Sequence, residues 1–69
     1  MPLTLLRPGQ SSLITRIGGS AETRQFLENL GFVAGTPVTV VSEISGNIIV
    51  SIRASRVAIS REMAAKISV

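Results

Sequence analysis

Residues 38–60, VTVVSEISGNIIVSIRASRVAIS, decide the fold. Three short runs rich in β-branched residues follow one another here: 38–44, 48–53 and 56–60. Such side chains fit a pleated strand better than a helix. Alternation within each run assigns one face to the core. Val38 and Val40 lie on it in the first run, Ile48, Val50 and Ile52 in the second, and Val57 and Ile59 in the third. Ser45-Gly46-Asn47 reads as a hairpin turn, and Ala54-Ser55 leaves room only for a tight connection. Arg53 and Arg56 flank that connection, which sets them across a hairpin from each other.

Working outward, residues 61–65, REMAA, suit one helical turn capped by Ser60. Residues 66–69, KISV, then form a last strand with Ile67 and Val69 inward. Upstream, residues 33–37, VAGTP, make a turn centred on Gly35, and residues 20–30, SAETRQFLENL, form the one clear helix. Ser20 caps it, and Glu22 meets the positive end of the helix dipole. Thr23, Phe26, Leu27 and Leu30 follow the i, i+3, i+4, i+7 pattern of a buried face, while Arg24, Gln25, Glu28 and Asn29 face water. Gly31 suits a left-handed C-terminal cap that turns Phe32 back toward Leu27, so both phenylalanines are assigned to the core. Residues 11–17, SSLITRI, read as one continuous strand with Leu13, Thr15 and Ile17 on one face and Ile14 and Arg16 on the other. Residues 1–9 supply Leu3 and Leu6 on one turn of helix, a lid over one end of the core, and a turn at Pro8-Gly9. The expected architecture is a single mainly β domain over residues 1–69. About five short strands close into a small barrel, with one inserted helix and short helical turns.

Composition narrows the chemistry. The 69 residues include no Cys and no His, and Glu22, Glu28, Glu43 and Glu62 are the only acidic side chains. No disulfide, thiolate cluster, hydrolytic triad or zinc site can be assembled from that inventory. No catalytic residue, cofactor site or metal ligand is assigned, and the chain is expected not to be an enzyme. Its net charge of +3 is ordinary for a soluble domain. With aromatic residues at 3% and both phenylalanines assigned to the core, stacking platforms for single-stranded nucleic acid are missing, and no nucleic acid is expected as a partner. No apolar run approaches the roughly 20 residues of a membrane span. Residues 1–9 lack the pattern of a secretory signal, so the expected compartment is the cytoplasm.

Two places invite a ligand. Gly18-Gly19 follows a strand and opens a helix, where an anion can sit, although neither the dinucleotide fingerprint nor the P-loop lysine is present. Arg53 and Arg56 set like charges near each other, which costs a sheet a little. They read either as solvated turn residues or as a pair kept for a partner's carboxylate or phosphate. Arg61 and Lys66 are candidates to extend the patch.

The order of motifs resembles the FeoA family, the small cytoplasmic component of bacterial ferrous iron uptake. The likeness rests on Leu3-x-x-Leu6-x-Pro8-Gly9, on Leu27-x-x-Leu30-Gly31-Phe32 followed by Gly35, and on Val38-x-Val40 and Val50-x-Ile52. Arg56-Val57-Ala58-Ile59 and Met63-Ala64-x-x-Ile67-x-Val69 complete it. The resemblance implies an SH3-like barrel that binds or regulates FeoB, the membrane GTPase that carries ferrous iron. Two positions depart from the family pattern: Ala34 stands where proline is frequent, and Ala54-Ser55 lacks the usual glycine.

On this reading the contact residues are Arg24 on the wet helix face and Arg53 and Arg56 at the hairpin. A stronger form makes one arginine a stabiliser of charge on the γ-phosphate of the partner's GTP. The competing classes are a free-standing metal-responsive module, like the C-terminal domain of iron-dependent repressors, and a small nucleic-acid-binding barrel. A homo-oligomer stays open.

The donor inventory generates a direct prediction. Ferrous iron is typically held by imidazole, thiolate or clustered carboxylates, and the four glutamates fall on separate elements. Met63 supplies a thioether but packs in the late turn. Anaerobic calorimetry of the tag-free monomer with ferrous iron is expected to show no submicromolar stoichiometric binding. Such binding would favour the metal-responsive class.

Overall fold

The computed structural model describes residues 1–69. A 3-10 turn at Leu3–Leu5 is followed by β1 (Ser11–Leu13), β2 (Arg16–Ile17), α1 (Ala21–Asn29), β3 (Pro37–Ile44), β4 (Asn47–Ile52), β5 (Ser55–Ser60), α2 (Arg61–Ala64) and β6 (Ile67–Ser68). The meander read from residues 38–60 is the body of a four-stranded antiparallel sheet in the order β1-β3-β4-β5. β2 and β6 form a second, two-stranded antiparallel sheet. The backbone ladders do not join into one closed barrel. The chain is mainly β, with its strands in two sheets around a shared core.

That core consists of thirteen apolar residues, and no polar or charged residue is buried. Val38, Val40, Ile48, Val50, Ile52 and Ile59 line one side of it, as alternation requires. Val40 pairs with Val50 and Ser42 with Ile49, so Val41 is the extra residue of a β-bulge. Leu3 and Leu6 are buried and belong to this core.

Residues 11–17 do not form the single strand expected from their pattern. β1 pairs with β3, the amide of Ile14 donates to the Thr36 carbonyl at 2.9 Å, and Thr15 donates to Ser68 at 2.8 Å. The segment therefore turns a corner from one sheet to the other. Ile14 is the buried residue at that corner, and Leu13 is exposed. Alternation along one straight strand cannot describe a chain that changes sheets.

The helix follows its sequence signals at both ends. The Ser20 hydroxyl accepts from the Thr23 amide. At the other end the Phe32 amide donates to Leu27 at 3.0 Å and the Gly31 amide to Glu28 at 2.9 Å. Those two bonds, with Gly31 at φ +105°, make a Schellman cap. The same logic recurs at α2, where the Ser60 hydroxyl accepts from Met63. Of the expected apolar helix face only Leu27 is fully buried. Phe26 is 49% exposed, contrary to its assignment to the core, whereas Phe32 is fully buried. A nine-residue helix lying on a small core turns only a narrow stripe inward.

Gly31→Val is expected to lower stability by about 1–2 kcal/mol, the cost of a left-handed conformation for a residue with a side chain. A β-carbon at Gly31 would stand 3.5 Å from Arg53 Cδ, an ordinary contact, so the cost is conformational and not crowding. An unchanged thermal midpoint would contradict the capping role.

Candidate partner-binding surface

The arginine pair sits on the β4–β5 hairpin, whose geometry differs from the expected one by a residue. Ile52 and Ser55 are the closing pair, so the two-residue loop is Arg53-Ala54, not Ala54-Ser55. Both loop residues are left-handed, at φ 48° and 64°. This is the backbone of a type I′ turn, whose twist matches the strands it joins and whose usual residues are Asn-Gly or Gly-Gly. The β3–β4 loop has the same handedness, with Ser45 at φ 45° and Gly46 at φ 82°. The glycine missing from residues 54–55 is thus missing at a position where the backbone is strained.

The shifted loop also corrects the placement of the arginines. Arg56 pairs across the sheet with Ser51, and Arg53 lies in the turn, so the two are not cross-strand partners. Both are exposed. The Arg53 stem reaches over Gly31 at the C-terminal end of α1, the end of a helix at which the dipole favours a cation. The last turn of α1 has no basic residue of its own. Arg24, the third residue of the candidate set, is exposed on α1, two turns or about 10 Å before Gly31.

Arg61 and Lys66 do not extend this patch. Arg61 forms the only ion pair between side chains, 3.2 Å from Glu43. Both partners are largely exposed, so the pair is worth no more than about 1 kcal/mol. Lys66 packs its stem against Gly19, at the opposite end of α1 from Arg53. At the Gly18-Gly19 turn the Gly18 amide is taken up by the Lys66 carbonyl at 2.7 Å, so it is not free for an anion. The glutamates remain dispersed, and no three potential ligands of the His, Cys, Asp and Glu type come together. What remains is a hairpin, Asn47 to Ser60, that carries two arginines without ion-pair partners and no carboxylate.

The sequence pattern gave no warning of Phe26. Half exposed on the last full turn of α1, it lies toward the helix end that Arg53 covers. Exposed aromatic and arginine side chains are the types enriched at protein interfaces.

The FeoA domain family matches residues 1–69. A crystal structure of an iron uptake regulatory protein, FeoA, superposes with a TM-score of 0.89 at 31% identity, over 97% of this chain and 91% of that one. The zinc-complexed FeoA of Stenotrophomonas maltophilia, described as a procaryotic SH3 domain protein, gives 0.85 at 22% identity, over 97% and 86%. A manganese-dependent transcriptional repressor gives 0.87 at 21% identity, and there the chain spans only 39% of the longer protein. At that identity the repressor shares the fold alone. No curated protein matches the chain significantly.

The strained loop makes a stability prediction. Ala54→Gly removes a left-handed cost of about 1–2 kcal/mol and adds roughly 0.5–1 kcal/mol of backbone entropy loss. The thermal midpoint is expected to rise by a few degrees, since 1 kcal/mol moves it by about 4–8 °C in a domain of this size. A fall would mean that the Ala54 methyl is needed for packing.

Proposed function

This chain belongs to the FeoA family, and from that premise we propose that it is a non-catalytic accessory of bacterial ferrous iron uptake that binds the cytoplasmic part of a FeoB-type membrane GTPase. The observation that carries the reading is the exposed hairpin, where Arg53 and Arg56 lack ion-pair partners within the chain. Arginine at such a place offers five fixed donors to carboxylates or phosphates, and its weak hydration lets it enter an interface at low cost. The contact is made in the cytoplasm, and regulation is exerted through contact and not through a reaction carried out by this chain. No helix of the chain is long and apolar enough to cross a membrane. A membrane-bound partner is then met from the aqueous side.

The metal-responsive alternative has less support. The likeness to the manganese-dependent repressor is one of fold. Within one chain the side chains bring together no ligand set of the kind such a module needs.

Reversal of both charges, Arg53→Glu with Arg56→Glu, is expected to leave the fold intact. Surface changes seldom cost more than about 0.5 kcal/mol, and a carboxylate near the end of α1 adds up to about 1 kcal/mol. Binding to the purified GTPase domain of a FeoB protein should weaken by about tenfold or more, which is ~1.4 kcal/mol. A folded double variant that binds as tightly as the parent would move the contact away from the hairpin, toward Arg24 and Phe26 on α1.

A further inference from the structure

The four-stranded sheet has two edges that differ. At one, β1 is only three residues long. At the other, β5 runs for six residues in unbroken register against β4, from Asn47↔Ser60 to Ile52↔Ser55. Proteins blunt such edges with proline, lysine, bulges or very short strands. β5 has none of these, and its one charged residue is Arg56 at the turn end.

The hydrogen-bond phase of the hairpin says which groups are free. In an antiparallel pair, opposed residues alternate between exchanging both bonds and exchanging none. The two-residue loop makes Ile52↔Ser55 a bonded pair, so Val50↔Val57 and Ile48↔Ile59 are bonded as well. The amides and carbonyls of Arg56 and Ala58 therefore point away from β4. None of these four groups has a partner elsewhere in the chain, and both residues are exposed. On the outer face the side chain between Arg56 and Ser60 is only a methyl, which allows close approach. On the inner face half-buried Val57 offers apolar area that an added strand would cover.

We propose that the outer edge of β5 takes up an extended acidic segment of the protein partner as an additional strand. This deepens the reading above and rests on it for the partner's identity. Main-chain bonds to Arg56 and Ala58 would supply affinity, as strand addition does elsewhere. Charge selects the occupant. The hairpin has two unpaired arginines at its tip and no carboxylate of its own, so a glutamate or aspartate facing Arg56 is stabilised and a cationic segment is repelled. A second copy of this chain fits less well, because each copy carries a charge of +3.

The test follows the Arg56 and Ala58 amides by NMR hydrogen exchange in wild-type protein. Two probes are used: the FeoB GTPase domain, and a peptide of alternating glutamate and valine about as long as β5. The proposal expects exchange at both amides to slow by about tenfold or more when a probe is bound. Ala58→Pro removes only the outward amide, which edge strands tolerate. It should lower affinity by about tenfold or more, while Ala58→Thr, which keeps the amide, should bind like the parent. If Ala58→Pro does not fold, the wild-type exchange result decides. Bound GTPase domain with unprotected Arg56 and Ala58 amides overturns the edge assignment and leaves the accessory role standing. If that domain does not bind wild-type protein at all, the accessory reading fails. The peptide then decides the edge, and absence of protection at about 1 mM peptide overturns it. Protection that grows with protein concentration in the absence of any probe gives the edge to a second copy and also overturns the proposal.

Discussion

Phe32 is the largest side chain the chain buries completely, and Gly31 puts it there. Helix α1 leaves its last carbonyls unpaired, and the amides of Gly31 and Phe32 fold back to two of them. This requires a backbone turn at φ +105° that a residue with a side chain resists. The turn delivers the phenyl ring to the same core as Leu27 and aims the chain at β3. A domain of this size buries only about 60% of its unfolded surface, so the loss of one such anchor is a large fraction of its stability. With no disulfide available and no buried polar network, the thirteen apolar core residues carry the fold.

The same small size shapes the surface. A core of thirteen residues leaves apolar side chains over, and Leu5, Leu13, Phe26 and Ile44 stay at least half in contact with water or nearly so. Charge is sparse and uneven. One arginine finds a glutamate and one lysine lies along the start of α1, while the β4–β5 hairpin keeps two arginines unpaired. That hairpin combines a strained turn, a cation over a helix end and an open sheet edge. Strained backbone persists where surrounding structure holds it, and such places are enriched at functional sites. This element joins charge to unused main-chain bonding capacity, the two features that the proposed contact draws on.

The strands of residues 38–60 were legible because each lies within one sheet, where alternation translates directly into inside and outside. The helix caps were legible because Ser20, Ser60 and Gly31 act on groups within a few residues of themselves. The segment 11–17 was not, since its two halves pair with strands that lie far along the chain, β3 and β6. Phe26 was misread because periodicity marks a helical face but not how much of that face a neighbouring core can cover. The loop at Arg53-Ala54 was misplaced by one residue because neither residue has the composition of a type I′ turn, and the pairing of Ile52 with Ser55 imposes the conformation. The candidate arginines were found as a group, but their arrangement was not.

By itself the sequence determined the mainly β character of the domain, the position of the helix and both of its caps. It also determined the inner faces of β3, β4 and β5, and the absence of any cysteine or histidine chemistry. These follow from local rules: side-chain branching, a period of two, hydroxyl caps and the conformational freedom of glycine. Only the tertiary structure decided that the ladders form two sheets instead of a closed barrel, that Ile14 enters the core at a corner, and that Arg53 crosses to the end of α1. It alone decided that Lys66 goes to the opposite end and that the outer edge of β5 stays open. Those features depend on which distant segments meet, and that is set by the packing of the whole core and not by the residues on either side of each position.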